Sequence, residues 1–263
     1  MKRHTIDNGN EFDFGLSSDD YARYRDIYPA ELYQALISMG IGRRGQQILD
    51  LGSGPAVLPM NLYATGAQIT AADISAQQIA HGRRLAGERG MDGIAFRVCA
   101  AEDTGFPDNR FDAVTAVQCF HYFDAERAAA EIHRVLKQNG LFCKVFMDWL
   151  PYEDEVIAEM EALVKRYNPD WSGGGFRAYR YIPPDWATGR FTIESVCSFD
   201  VTLTFMKEAW IGRVKTCRGV GATLSQSAVA DFEAEYRSLL EKYSEPLHLK
   251  HQIHIELYRS AKC

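Results

Sequence analysis

The sequence has no CxxC pair: its six cysteines, at 99, 119, 143, 197, 217 and 263, show no paired spacing. Neither a zinc site nor a disulfide framework is indicated, and a reduced cytosol is the expected compartment. No run of about 18 apolar residues is present that could span a bilayer, and the opening MKRHTIDNGNEFDF contains no continuous apolar segment. Long basic runs are missing as well. Lys plus Arg number 29 against 35 Asp plus Glu, a net charge of −6, which argues against general affinity for nucleic acid or an anionic membrane. Repeats and low-complexity tracts are absent. What is present is apolar material: 46% of 263 residues are hydrophobic, enough to fill the core of one α/β domain with insertions.

Periodicity organises that material into alternating strands and helices. Pro29 with Leu32, Ala35, Leu36 and Met39 at helical spacing predicts an amphipathic helix over 28–39. Residues 47–51 read as the first strand and 68–72 as the second, and Ser75 followed by Gln78 is a capping-box signature for the next helix. Residues 94–99, 111–117 and 141–147 read as three further strands. Asp124 is placed to cap a helix that has Ala128, Ile132, Val135 and Leu136 on one face, with Asn139-Gly140 expected to close it. Such alternation predicts a doubly wound, mostly parallel sheet.

The last third is less regular. Residues 153–167 and 228–243 have helical spacing, 168–190 are rich in Gly, Pro and aromatics, and 191–205 have the composition of a long strand. In 247–258 Leu247, Leu249, Ile253, Ile255 and Leu257 alternate onto one face. The two late strands are expected as a terminal antiparallel pair, completing seven. The expected organisation is a single domain over 1–263, with an N-terminal arm at 1–28 and insertions at 151–190 and 207–245 that cap the open end of a ligand cleft.

The stretch ILDLGSGPAVL, 48–58, breaks from an apolar run into small residues. A glycine turn after the first strand lets backbone amides and a helix N-terminus approach a polar ligand, or simply satisfies the angles of an ordinary strand-to-helix turn. A NAD site would prefer glycine three positions after Gly54, where this chain has Val57. Asp73, at the end of the second strand, stands where an acidic side chain accepts from both hydroxyls of an adenosine ribose.

Asp50-Leu51-Gly52-Ser53-Gly54, then Asp73, then AEDTGFPDNRFDAVTAVQCFHYFD at 101–124, resembles the class I S-adenosylmethionine-dependent methyltransferases. Within them the chain is similar to the small-molecule branch that includes the trans-aconitate methyltransferase-like proteins, and YARYRDIYPAEL, from residue 21, resembles that branch's arm. The resemblance runs from about residue 21 through 147 and more loosely to the C-terminus. It implies a Rossmann-like fold and S-adenosyl-L-methionine as cofactor. By the same resemblance Gly52, Ser53 and Gly54 pass beneath the methionine portion, Asp50 orders the turn, and Asp73, with Ile74 beside it, takes the ribose. Ala101 and Glu102 fall at the adenine. Many members carry an acidic residue one position earlier, where this chain has Ala100, so adenine recognition is expected to rest on main-chain amides. Gln118 is expected beside the methionine. Tyr21, Tyr24 and Arg25 would close from the arm, Arg25 facing the cofactor carboxylate.

The implied activity is methyl transfer to a small molecule, anionic or aromatic, by a cytoplasmic enzyme that has neither nucleic acid nor membrane as partner. His121, after the fourth strand, is the candidate catalytic residue, orienting or deprotonating the acceptor. Alternatives are methylation of RNA or protein, a dinucleotide-dependent oxidoreductase, and a noncatalytic cofactor-binding module. His248, His251 and His254 have a spacing of three, which sends alternate members of a strand to opposite faces, so no metal site is expected. The cysteines read as small core residues. Tyr167, Trp171, Phe176, Tyr179, Tyr181, Trp186 and Trp210, interleaved with Arg177, Arg180, Arg190, Arg213, Lys215 and Arg218, would build the cap either as an aromatic box with anion-binding forks or as an insertion's own core. At least one of Arg177, Arg180 and Arg213 is expected to face the cavity, and Gly173, Gly174 and Gly175 are expected to let the cap move as a lid.

Overall fold

The strands are β1 (Gln47–Leu51), β2 (Gln68–Asp73), β3 (Ala95–Val98), β4 (Phe111–Val117), β5 (Leu136–Trp149), β6 (Phe191–Phe205) and β7 (Leu247–Ser260). In the computed structural model, which describes residues 6–12 and 28–262, they form one sheet in the order β3-β2-β1-β4-β5-β7-β6. Strands β1 to β5 pair in parallel, and β7 lies antiparallel between β5 and β6. The helices are α1 (Ala30–Ser38), α2 (Val57–Leu62), α3 (Ala76–Glu88), α4 (Ala125–Val135), α5 (Glu155–Tyr167), α6 (Lys207–Lys215) and α7 (Gln226–Leu240). No described helix is long and apolar enough to cross a membrane.

Side-chain caps set several helix starts. Ser75 Oγ accepts from the Gln78 N–H at 3.3 Å and Asp124 Oδ1 from Arg127 N–H at 3.2 Å, as the sequence predicts. Asp154 and Ser225 do the same for α5 and α7.

Two elements depart from the sequence reading. Helix α4 ends at Val135, and Leu136 is already extended because it pairs with Phe111 of β4. The next pair is Ala113 with Leu141, so the Asn139-Gly140 turn forms a bulge inside β5 and does not close the helix. Asn139 takes φ 60° there, and its carbonyl accepts from Arg259 at 2.9 Å. Helix α6 is not marked by any helical period in the sequence. Trp210, Ile211, Gly212, Arg213 and Val214 are buried in succession, so the helix has no polar face whose period could reveal it.

The chain divides into two compact units. One comprises Tyr28–Met147, Tyr179–Phe199 and the residues from Ile253 onward. Its principal core packs Leu49, Leu51, Val114, Ala116 and Phe142 of the sheet against Ala128, Ile132 and Val135 of α4 and against Trp186, Phe191 and Tyr258.

The other unit comprises the described residues up to Phe12, Asp148–Ala178 and Asp200–Gln252. Trp171, Trp210, Phe232, Tyr236 and Leu249 are central to its core, and Trp149 and Tyr167 pack against it. Three of its basic residues serve that interior. Arg213 is buried with its guanidinium carbon 5.4 Å over the Trp149 ring, Lys215 pairs with Glu233 at 2.6 Å, and Arg218 pairs with buried Asp7 at 2.7 Å. Arg177 is exposed and stacks on Tyr152 at 3.9 Å, and Arg180 is exposed in the other unit. Gly173 and Gly174 have a packing reason: a Cβ on Gly173 would stand 2.5 Å from Trp171 and one on Gly174 2.8 Å from the Glu161 carboxylate, while Gly175 takes φ 80° and its N–H donates to Glu161 at 2.7 Å.

Candidate functional site

The ends of β1, β2 and β4 bring the glycine motif and its acidic partners together within the unit that carries the parallel strands. After Leu51 the backbone enters the left-handed region at Gly52 (φ 63°), Gly54 (φ 53°) and Ala56 (φ 64°) before α2 begins. Glycine is required at 52 for a second reason, because a Cβ there would lie 2.7 Å from Cys119 Cβ and 2.8 Å from its sulfur. Cys119 is fixed in turn, its thiol donating to the Leu51 carbonyl at 3.0 Å.

Asp73 ties the turn to β2. One carboxylate oxygen accepts from the Gly54 N–H at 2.9 Å and the other from the Ser75 N–H at 2.8 Å. The Ser53 N–H donates to the Ala72 carbonyl at 3.0 Å, so the turn is pinned on both sides. Burial pushes the Asp73 carboxyl above its usual range, against the pull of its backbone donors. Asp50 lies beneath the turn, 2% exposed, and accepts from Thr115 Oγ1 at 2.6 Å. Burial pushes it up to about 7, opposed by the Thr115 bond and reinforced by the charge of Asp73.

The other expected residues fall around this turn with varied surroundings. Gln118 adopts φ 59°, donates its side-chain amide to the Met147 carbonyl at 2.5 Å, and is held by its own N–H on the Val145 carbonyl at 2.9 Å. Ala101 is buried in the core. Glu102 accepts from the Asp124 N–H at 2.7 Å, supporting the entry to α4. Ile74 is 61% exposed. His121 is exposed on a short 3-10 turn, with its ring 3.8 Å from Tyr122 and 5.2 Å from Phe146. Tyr21, Tyr24 and Arg25 lie outside the described residues.

Thr115 and Cys119 are components that the sequence reading missed. A single Thr in the buried run of β4 was the available signal, since a hydroxyl there needs a polar partner. The three late histidines separate. His248 is exposed beside Thr204, His251 is buried and bonded to the Leu249 carbonyl, and His254 stacks between Phe146 and Tyr179.

A ligand able to use this turn must meet backbone and hydroxyl groups more than charge. Ser53 Oγ is buried with no hydrogen-bond partner, and the Asp73 carboxylate keeps acceptor capacity beyond the backbone N–H groups of Gly54, Ser75 and Ile74 that bond it. These groups fit a nucleoside with a ribose diol on Asp73 and a polar chain over the glycine turn.

Residues 49–144 match the family described as methyltransferase domain. The chain is 32% identical over 154 residues to demethylmenaquinone methyltransferase of Thermus thermophilus, covering 56% of this chain and 69% of that one. It is 27% identical over 151 residues to the uncharacterized methyltransferase YcgJ of Bacillus subtilis, covering 57% of this chain and 59% of that one. The crystal structure of the YcgJ protein superposes with a TM-score of 0.58 at 19% identity, over 89% of this chain and 100% of that chain, which is a likeness of fold. The aligned region thus spans 59 to 69% of the two curated relatives. From the glycine turn, its paired aspartates, the sheet order and these relatives, the chain belongs to the class I S-adenosylmethionine-dependent methyltransferases, whose cofactor is S-adenosylmethionine.

Proposed function

We propose that the chain transfers the methyl group of S-adenosylmethionine to a small-molecule acceptor, with the turn at Gly52, Ser53 and Gly54 and the Asp73 carboxylate holding the cofactor. The observation that carries this reading is the bond from the Gly54 N–H to Asp73, which joins the two halves of a nucleoside cradle. Asp73 takes the ribose hydroxyls, Ser53 Oγ and the main chain of 52–54 take the methionine end, and Asp50 holds the turn from below through Thr115. Ile74, Ala101 and Glu102 border the adenine, and Gln118 borders the methionine. His121 orients the acceptor or receives its proton.

The bound cofactor supplies a methyl group already activated by a sulfonium. Held by the turn at 52–54 and by Asp73, that group would supply an electrophilic methyl carbon to an acceptor placed beside Gln118 and His121. The task left to this chain is alignment and exclusion of water, a proximity effect worth up to about 7 to 11 kcal/mol. A net charge of −6 and a relative named for a small molecule, demethylmenaquinone, support a small acceptor over a nucleic acid.

Calorimetry with S-adenosylhomocysteine tests the reading directly. Asp73→Ala removes charge-assisted hydrogen bonds worth roughly 1.5 to 3 kcal/mol each, so affinity is expected to fall at least about tenfold in a protein whose circular dichroism is unchanged. Wild-type protein is expected to show no heat with NAD or NADP. Unchanged S-adenosylhomocysteine binding by a folded Asp73→Ala protein would refute the assignment.

A further inference from the structure

Beside Gln118 the structure carries a wall of rings that the proposed cofactor contacts do not include. The ring of His121 lies 3.8 Å from Tyr122 and 5.2 Å from Phe146. Phe146 lies 5.3 Å from His254 at an interplanar angle of 27°, and His254 lies 4.1 Å from Tyr179 at 8°. All five residues belong to one compact unit. His121 is exposed, Tyr122, Phe146 and Tyr179 are half-buried, and His254 is buried. The wall therefore runs from a solvent-facing ring to a fixed interior one.

Its place follows from the sheet. Val117 pairs with Val145 across β4 and β5, which sets Phe146 beside Gln118. His121 comes two residues after Cys119, on which the Gly52 turn rests. Across β5 and β7, Phe142 faces Tyr258, Lys144 faces Glu256 and Phe146 faces His254, so the last pair continues a register of directly opposed side chains.

The wall is held from behind by one buried carboxylate. Glu256 receives Lys144 Nζ at 2.7 Å and the Tyr179 hydroxyl at 2.8 Å on one oxygen, and the Tyr258 hydroxyl on the other. Lys144 is itself surrounded by the rings of Phe120, Phe146 and Trp186, each 5.7 to 5.9 Å from its ammonium. Burial holds His254 down to about 4 and raises the Tyr179 phenol, so both are uncharged at neutral pH. The outer end of the wall is the exposed His121 ring, and behind it the Lys144 and Glu256 charges pair with each other.

We propose that this wall binds the methyl acceptor and selects a planar conjugated one, an aromatic or heteroaromatic ring that carries the accepting atom. Ring faces of this kind favour a stacked or edge-on aromatic over a saturated molecule of equal size. Glu256 acts as a positioning residue by fixing Tyr179, and through it His254. The proposal rests on the methyltransferase reading and deepens it to a substrate class.

The test uses protein saturated with S-adenosylhomocysteine and two probes of one charge and size, benzoate and cyclohexanecarboxylate. The aromatic probe is expected to bind and to shift the imidazole C–H proton signals of His121 upfield in NMR, while the saturated probe gives no such shift. His121→Ala is expected to weaken the aromatic probe about tenfold, and His121→Phe to retain it, because Phe keeps the ring and removes the titratable nitrogen. Glu256→Gln is expected to weaken binding without changing its pH profile. Equal binding of the two probes, no binding of either, an unaffected His121→Ala protein, or a His121→Phe protein as weak as His121→Ala would each overturn the proposal. Both His121 variants change an exposed side chain, so the comparison survives if Glu256→Gln fails to fold. Failure of S-adenosylhomocysteine itself to bind would instead overturn the cofactor reading, and this inference with it.

Discussion

Asp50 shows how a single residue under a ligand turn can set a pH dependence. It is buried, accepts one hydroxyl, and its folded-state pKa is raised from 3.8 to about 7, chiefly by burial. Between those two values the folded protein keeps the proton that the unfolded chain releases. Stability therefore falls as pH rises through this window and levels off above about 7. Asp50→Asn retains an acceptor for Thr115 and has no proton to lose. The melting temperature of Asp50→Asn relative to the wild type is expected to climb from pH 5 to pH 7 and then stay flat. A gap independent of pH would show that Asp50 does not titrate there. Asp50 and Gly52 were legible from their place after an apolar run, but Thr115 was not. It lies 65 residues from Asp50, and only the register of β1 on β4 makes them partners.

Among the elements, β1, β4 and β6 match the sequence reading to the residue because each is rich in apolar and β-branched residues. Strand β5 was read as 141–147 because the bulge interrupts its pattern, and the Asn-Gly pair that marks many helix ends here marks an excursion within a strand. The local conformation was correctly signalled and its context was not, since a left-handed residue serves either use. That distinction can be tested at Asn139, which has φ 60°. Asn139→Gly is expected to leave urea stability nearly unchanged. Asn139→Val, a β-branched residue forced into the left-handed region, is expected to lose roughly 1 to 3 kcal/mol. Equal stabilities would show that the bulge relaxes to another conformation. Helix α6 marks the opposite limit: five successive buried positions carry no period, whatever the propensity of the residues.

At the scale of the whole molecule the chain builds two cores, and the four tryptophans divide between them. Trp186 belongs to the core of the parallel strands, whereas Trp171 and Trp210 belong to the other core and Trp149 packs against it. The aromatic residues of the late insertions are thus consumed largely as interior, one of the two uses their composition allowed. In the Trp210 unit the described N-terminal residues contribute a buried ion pair: Asp7 accepts from Arg218 at 2.7 and 3.1 Å and from the Ser172 N–H at 2.7 Å. Coulomb attraction in such a pair roughly offsets the cost of desolvating both groups, but removing one partner strands the other charge, at a cost of roughly 3 to 5 kcal/mol. With Trp186→Phe as background, fluorescence reports only the unit that holds Trp149, Trp171 and Trp210. Asp7→Ala is expected to lower that transition by several degrees, and Asp7→Leu combined with Arg218→Met to recover most of the loss, because the double change leaves no buried charge unpaired. If the double variant is as unstable as Asp7→Ala, the anchoring resides in the hydrogen bonds to Ser172 and not in the ion pair.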